Sequence, residues 1–281
     1  MTAVQLERRF VPKVWGRRDV PDPFAPPPAG NEPLGEVWYP DPAGDESELL
    51  IKYLFTSDRL SIQVHPDEAA ARAAGHRRGK DEAWVVVQAE PEAVIGLGLI
   101  EPLSREALRT AALDGSLEQL VDWRHVSAGD VYYSPAGTIH AIGPGITLVE
   151  IQQNLDLTYR LYDYGRPREL HLEEGIAVAD PAPWRPAFAP RRIGEGREVL
   201  AAGGAFVLER WRGAEAAVGT DSGAPIWLIP LAGGGEVDGQ PLEAGTVWVS
   251  RGPSRVSAPP EGDLLVAYGG LRIRFAEAAG A

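Results

Sequence analysis

Short apolar segments of alternating character run through nearly the whole chain, and Pro and Gly separate them. The 281 residues include 25 Pro and 32 Gly. Apolar and polar residues that alternate have the two-residue period of a β-strand, and closely spaced turn residues favour many short strands over long helices. The sequence therefore predicts a mainly β fold with a few short helices.

The predicted strands fall into two groups along the chain. Those of the first half are Leu49–Phe55, Leu60–His65, Ala83–Ala89, Ala93–Ile100, Val131–Ser134, Thr147–Gln153 and Thr158–Tyr162. Those of the second half are Ala205–Trp211, Pro225–Leu231, Thr246–Ser250, Asp263–Tyr268 and Leu271–Phe275. Helices are predicted at Asp67–Ala74, where acidic residues suit a helix start, and at Ser104–Leu113, where the apolar spacing is helical.

A Pro-rich segment at residues 181–192 (PAPWRPAFAPRR) is the best candidate for a linker. It predicts an N-terminal domain at 1–180 and a smaller C-terminal domain at 193–281. All five His residues precede this segment. Any metal chemistry is therefore expected in the N-terminal domain, and the C-terminal domain is expected to hold no metal.

Charge and composition restrict the partners. The formal net charge of −13 argues against nucleic acid, although a few cations focused in a cleft could still bind a phosphorylated molecule. The chain has no Cys, so a metal would need His, Asp, Glu or amide ligands. No apolar run approaches ~18 residues and the N-terminus lacks a signal-peptide core, which predicts a cytoplasmic protein with no membrane partner.

The segment Leu60–Pro66 (LSIQVHP) is the most informative part of the sequence. In a strand, Ser61, Gln63 and His65 would share one face. Such a polar face is costly inside a barrel unless it binds something. An amide oxygen and an imidazole nitrogen are both acceptable ligands for zinc.

Two further motifs could complete a metal site. In GKDEAW, Lys80 and Glu82 share a parity that would direct both side chains into one cavity, and in PAGTIH, His140 follows a turn at a strand end. Gln63, His65, Glu82 and His140 would together supply four neutral or anionic ligands. Taken alone, His65 and His140 could each be an ordinary half-buried His. Likewise, Glu82 could be a solvated carboxylate and Lys80 a surface lysine.

Residues 150–160 (EIQQNLDLTYR) alternate over an unusual length. An unbroken strand would place Glu150 and Arg160 on one face, whereas a turn at residues 154–156 would reset the register. The two charges could also form a structural ion pair on a barrel wall.

Taken together, QVHP, GKDEAW, GTIHAIG and EIQQNLDLTYRLYDYGR closely resemble, in this order, the class I mannose-6-phosphate isomerases, particularly the short bacterial form. The resemblance is strong from about residue 48 to 172. It implies cupin double-stranded β-helix (jelly roll) barrels in two domains. It also implies a zinc-dependent enzyme that interconverts mannose 6-phosphate and fructose 6-phosphate through an enediolate.

The resemblance also implies residue roles. One zinc ion per chain would be bound by Gln63, His65, Glu82 and His140. Catalytic roles fall on Arg160, which would steady the enediolate, and on Glu150 and Lys80 as candidate proton-transfer groups. Contacts with the substrate and its phosphate fall on Ser61 and Lys52. The implied partner is a small sugar phosphate, and the protein is expected to be a monomer or a weak homo-oligomer.

The sequence departs from the family pattern near its start. The family's W-G-G and G-E-S-W-E motifs are here WGRR at residues 15–18 and GEVWY at residues 35–39. These changes leave two alternatives open, a phosphosugar-binding cupin without turnover and an isomerase of a different sugar phosphate.

Overall fold

Twenty-two strands and four α-helices occupy the described part of the computed structural model, which comprises residues 3–25, 32–219 and 224–274. The strands of the first half are β1 Ala3–Gln5, β2 Arg9–Arg17, β3 Leu34–Tyr39, β4 Leu49–Phe55, β5 Ile62–Val64, β6 Glu82–Ala89, β7 Val94–Leu99, β8 Val121–His125, β9 Val131–Ser134, β10 His140–Ile142, β11 Ile146–Gln153 and β12 Tyr159–Tyr162. Those of the second half are β13 Arg191–Gly194, β14 Arg197–Ala201, β15 Phe206–Trp211, β16 Ala214–Val218, β17 Ile226–Ala232, β18 Gly235–Val237, β19 Gln240–Leu242, β20 Trp248–Ser250, β21 Ser254–Ala258 and β22 Asp263–Gly269. The predicted mainly β class is confirmed.

Apart from a 3₁₀ helix at Gly44–Glu46, the helices in the described residues are four short α-helices, all in the first half. They are α1 Glu68–Ala73, α2 Arg105–Asp114, α3 Leu117–Leu120 and α4 Leu172–Val178. Both predicted helices begin as the sequence indicates, because the side chains of Asp67 and Ser104 accept hydrogen bonds from the backbone N–H groups three residues on. No helix in the described ranges has the length and apolar character needed to cross a membrane.

Four antiparallel sheets form the layers of the structure. The first half has a six-stranded sheet in the order β2-β3-β4-β11-β6-β9 and a five-stranded sheet in the order β12-β5-β10-β7-β8. The second half has a seven-stranded sheet in the order β1-β20-β17-β22-β15-β14-β13 and a four-stranded sheet in the order β16-β21-β18-β19. The first strand of the chain therefore belongs to the main sheet of the second half.

Apolar side chains fill the space between successive sheets. Leu54 and Trp84 of the six-stranded sheet pack with Leu97 of the five-stranded sheet, inside the first barrel. On the opposite face of the six-stranded sheet, Ile51 and Val85 belong to a core that includes Phe206 and Leu208 of the seven-stranded sheet. The two halves therefore share a core, and the predicted boundary at residues 181–192 stays a prediction.

Strand alternation on the six-stranded sheet determines which side chains enter the first barrel. The odd-numbered residues of β4 and β6 face the second half, since Ile51, Tyr53, Ala83 and Val85 all lie in the core shared by the two halves. The even-numbered residues face the barrel interior. Three polar residues of the sequence analysis, Lys52, Glu82 and Glu150, are even-numbered and lie on this inner face.

Several predicted elements need correction. The strand at Leu60–His65 is shorter and spans Ile62–Val64. The separate strands predicted at Thr147–Gln153 and Thr158–Tyr162 are confirmed as β11 and β12, so of the two alternatives for residues 150–160 the unbroken strand is wrong. Residues 271–274 form no strand, which makes the prediction at Leu271–Phe275 wrong for that part, while residue 275 lies outside the described residues.

Candidate metal centre and catalytic cavity

Both sheets of the first barrel contribute side chains to one polar cluster in its interior. On the five-stranded sheet, Gln63 of β5 lies directly opposite His140 of β10 and Arg160 of β12. On the six-stranded sheet, Glu150 of β11 lies opposite Lys52 of β4. The strands that carry the predicted site residues therefore direct those side chains into the interior of one barrel.

Three residues with metal-ligating atoms lie at the centre of the cluster. His65, Glu82 and His140 are each at most 2% exposed. One ligand atom from each lies within 4.8 Å of the others. Glu82 Oε1 is 3.2 Å from Nε2 of His65, and Glu82 Oε2 is 3.6 Å from Nε2 of His140. The structure thus brings together three of the four predicted metal ligands.

The two imidazole rings are oriented by backbone carbonyl groups. Nδ1 of His65 donates to the carbonyl of Leu157 and Nδ1 of His140 to that of Thr138, both at 2.9 Å. Each Nε2 is then left as a lone-pair donor that faces Glu82, which is the arrangement of metal-ligating His residues. Burial lowers the pKa of His65 to about 3, with Lys80 adding to the effect, and burial also lowers the pKa of His140. Both rings are neutral at pH 7, as metal binding requires.

Glu82 carries an oxygen without a hydrogen-bond partner. Its Oε2 is buried and unpartnered among the described residues. Burial alone would raise its pKa, but the Lys80 ammonium holds the pKa of this carboxyl well below its usual range. Lys80 contacts Oε1, whereas Oε2 faces the neutral Nε2 of His140 and has neither a donor nor a cation beside it among the described residues, which leaves a buried oxygen unsatisfied. The donor set therefore fits a zinc ion, for which His and carboxylate are ordinary ligands.

Gln63, the fourth predicted ligand, lies beside the cluster. Its Nε2 is 3.2 Å from Nε2 of His140, and its Oε1 accepts a hydrogen bond of 3.1 Å from the hydroxyl of Ser61. The amide oxygen would reach the cluster only after a half-turn of the amide group, which exchanges its O and N positions. The role of Gln63 as a ligand stays a prediction.

Lys80 is the buried cation closest to the candidate ligands. It is 4% exposed. Its ammonium lies 3.0 Å from Oε1 of Glu82 and 3.3 Å from Nε2 of His65. The predicted proton-transfer lysine therefore contacts two candidate metal ligands.

A second buried ion pair joins Lys52 and Glu150, whose charged atoms are 3.3 Å apart. Burial, followed by the charge of Glu82, raises the pKa of Glu150 to about 7. Burial would lower the pKa of Lys52, but Glu150 raises it above its ordinary value. The Lys52 ammonium also lies 4.4 Å from the centre of the Trp38 ring, a cation–π contact. Glu150 is thus a carboxyl group that can change protonation state near neutral pH.

Arg160 extends from β12 toward the cavity. One of its terminal nitrogens donates to the carbonyl of Glu169 at 2.6 Å, and its Nε is buried without a partner among the described residues. Its backbone N–H donates to Nδ1 of His171 at 3.2 Å, and the backbone N–H of His171 donates to its carbonyl at 2.8 Å. This pairing holds the short strand that carries Arg160.

A cavity of about 90 Å³ is lined by side chains from both sheets of the first barrel. Six of the nine predicted site residues line it: Lys52, Ser61, Gln63, Lys80, Glu150 and Arg160. Eight lining residues were absent from the predicted site: Lys13, Trp15, Glu36, Leu54, Leu60, Asp156, Thr158 and Arg168. The period-two pattern of GEVWY would have placed Glu36 on the same face as Trp38, but the sequence does not show that this strand adjoins β4.

Comparisons with known proteins agree with the motifs. The mannose-6-phosphate isomerase of Streptococcus mutans is 39% identical over 199 residues, which cover 67% of this chain and 62% of that protein. The chain thus spans less than two thirds of the length of this curated relative. No protein-family model matches the chain. The resemblance that the motifs indicate is confirmed.

Solved structures extend the similarity over nearly the whole chain. The crystal structure of the mannose 6-phosphate isomerase from Bacillus subtilis matches with a TM-score of 0.80 and 25% identity, covering 95% of this chain and 100% of that one. A zinc-bound holo form of a mannose 6-phosphate isomerase matches in fold, with a TM-score of 0.71 and 16% identity, and covers 96% of this chain and 100% of that one. The predicted cupin fold class is confirmed.

Proposed function

We propose that this chain, a relative of the mannose-6-phosphate isomerases in sequence and in fold, interconverts mannose 6-phosphate and fructose 6-phosphate with a bound zinc ion. One observation carries the proposal. The buried His65, Glu82 and His140 cluster, with its unpartnered carboxylate oxygen, lies next to a cavity that presents both Glu150 and Arg160. A cation site, a carboxyl group near neutral pKa and a guanidinium are the groups that an aldose–ketose isomerisation requires.

His65, Glu82 and His140 would hold the metal, with Gln63 as a fourth ligand after rotation of its amide. When bound, zinc supplies a Lewis acid that polarises a sugar carbonyl or hydroxyl oxygen. Nδ1 of each His is already committed to a backbone carbonyl, so the ring planes are fixed before the metal arrives.

Glu150 is the proposed proton carrier. Isomerisation moves a proton between carbons 1 and 2 of the sugar, and one group placed beside both carbons could accept the proton and return it. A carboxyl group with a pKa of about 7 exists in both forms near neutral pH, which suits this role. Lys52, at 3.3 Å, holds the carboxylate in the cavity. Lys80 is the second candidate.

Arg160 is proposed to stabilise the negative charge that develops on the sugar oxygens as the proton leaves. Arg160 lines the cavity, and its Nε is a donor without a partner among the described residues. Ser61 and Lys52 line the same cavity and are proposed to contact the substrate and its phosphate.

The departures from the family motifs do not reach the cavity. Val37 and Tyr39 of GEVWY lie in the core shared by the two halves, and Arg17 of WGRR pairs with Asp19 at 3.3 Å. Trp15 and Glu36, which keep the family residues, line the cavity. This placement favours an active isomerase over a phosphosugar-binding cupin without turnover.

The direct test is conversion of mannose 6-phosphate to fructose 6-phosphate by zinc-reconstituted protein, beside a Glu82→Ala control. We expect activity that is lost, together with bound zinc, in the control. Zinc-loaded protein that binds mannose 6-phosphate without converting it would refute the proposal in favour of the binding protein. Turnover of another sugar phosphate alone would correct the substrate.

A further inference from the structure

The backbone just before β6 is anchored by a loop from the second half of the chain. Asp81 lies between Lys80 and Glu82 in sequence. The side chains of a strand alternate, and Ala83 faces the second half, so Asp81 projects away from the metal cluster while its two neighbours project into it. We infer that Asp81 is a positioning residue for the metal site, fixed by residues 202–205 of the second half.

Three donors from two segments, residues 133–136 of the first half and residue 205 of the second half, bind the Asp81 carboxylate. Oδ2 accepts from the hydroxyl of Tyr133 at 2.5 Å and from the backbone N–H of Ala205 at 3.2 Å. Oδ1 accepts from the backbone N–H of Ala136 at 2.9 Å. The Asp81 backbone is fixed as well, since it donates to the side chain of Gln153 and accepts from its N–H, both at 3.0 Å.

The loop at residues 202–205 fits closely against Tyr133. The N–H of Ala205 also donates to the Tyr133 hydroxyl at 2.9 Å, and the Tyr133 ring lies 5.3 Å from that of Phe206. A Cβ added at Gly204 would lie 1.8 Å from the Tyr133 hydroxyl, so only glycine permits this approach. Burial, together with the Asp81 charge, raises the pKa of Tyr133, so that its hydroxyl remains a donor.

This anchor constrains the candidate ligand next to it. Lys80 and Glu82 flank Asp81 in sequence, and their charged groups are 3.0 Å apart. A displacement of the Asp81 backbone would therefore move both the Glu82 carboxylate and the Lys80 ammonium. Metal affinity depends on supporting contacts behind the ligands, and their loss typically costs about 10–100-fold. The second half thus contributes to the metal site without supplying a ligand. The inference rests on the proposed function in taking Glu82 as a ligand.

The test uses the full chain with cobalt(II) and zinc as probes and two pairs of variants. Tyr133→Phe removes the hydroxyl, and Gly204→Ala displaces the loop from the side of the second half. Tyr132→Phe is the matched control for the first, since its hydroxyl is 3.4 Å from Asp130 instead. Gly234→Ala is the control for the second, because no atom lies within 4 Å of its added Cβ.

We expect both test variants to bind each ion about tenfold more weakly and to change the visible absorption of bound cobalt, which reports ligand geometry. Neither control should do so. Asp81→Asn, which keeps an acceptor oxygen, should lose less affinity than Asp81→Ala.

The inference would be overturned if both test variants kept the wild-type metal affinities and cobalt spectrum, even if their unfolding midpoints fell. The Asp81 contacts would then serve stability alone. Wild-type protein that binds neither ion would overturn it together with the metal site. Bound metal without isomerisation would refute only the proposed activity, so the two failures are distinguishable.

Discussion

Replacing Lys80 by Met should tighten zinc binding while it destabilises the metal-free protein. The Lys80 ammonium is 4% exposed and lies 3.0 Å from Oε1 of Glu82. In the metal-free protein it is the cation that compensates the buried carboxylate. A bound zinc ion would take over that role, and the ammonium would then be a like charge beside the metal.

The size of the effect follows from the burial of the pair. Removing one partner of a buried ion pair typically costs ~3–5 kcal/mol, because the other charge stays buried and uncompensated. In Lys80→Met this cost falls on the metal-free form and is relieved when zinc binds Glu82. A difference of about 3 kcal/mol corresponds to a dissociation constant roughly a hundredfold lower.

The assay is urea unfolding of the metal-free and zinc-saturated forms, together with a competitive zinc titration. Lys52→Met is the matched control, since Lys52 is also 4% exposed and pairs with a buried carboxylate, Glu150, at 3.3 Å. It should destabilise both forms by similar amounts and leave the zinc dissociation constant almost unchanged. Equal destabilisation of both forms in Lys80→Met, or weaker zinc binding, would refute the reasoning.

Three other predictions follow from the same structure. Arg160→Ala should keep zinc and lose ~10²–10³ in kcat, measured with metal content; loss of the metal would contradict its role. Since the carboxylate form of Glu150 accepts the proton and its pKa is about 7, kcat/KM should fall as pH drops through about 7. In Glu150→Gln the residual kcat/KM should no longer fall at low pH. If it still falls, the titrating group is another residue. In the second half, Arg197→Met should lower the free energy of unfolding in urea by ~3–5 kcal/mol, because Arg197 pairs with the fully buried Glu209 at 2.8 Å. The control is Arg212→Ala, which removes an exposed Arg that pairs with Asp263. A loss no larger than that of the control would show that Glu209 needs no cation.

Local patterns predicted much of the site. The period-two face of LSIQVHP places Gln63 in the barrel, and the shared parity of Lys80 and Glu82 is seen in their 3.0 Å contact. The pairing of Gln63 with His140 could not be read from spacing, because it depends on the sheet order β5-β10, which joins strands far apart in sequence. The segments that carry Gln63 and His140 were related to each other by the family resemblance and not by strand periodicity.

Nonlocal packing accounts for what the sequence did not reveal. Strand alternation in β11 and β6 is consistent with one buried face but does not show that the other face packs on Phe206 of the second half. The role of Asp81 was missed for the same reason, since its partners Tyr133 and Ala205 are 52 and 124 residues away. Where β11 ends, the side chains of Gln152 and Asn154 donate to the carbonyls of Leu155 and Gly44, and the second of these contacts joins residues 110 apart in sequence.

The pairing of β1 with β20 has a consequence for synthesis of the chain. Ala3 lies opposite Ser250 and Gln5 opposite Trp248. Nearly 250 residues of sequence are therefore translated between one strand and the strand with which it pairs. At ~5–20 residues per second, roughly 12–50 s of translation separate them. Until then β1 lacks the one strand with which it pairs in the described part of the structure. The outer edge of the seven-stranded sheet therefore closes late, only after β20 has been made and can pair with β1.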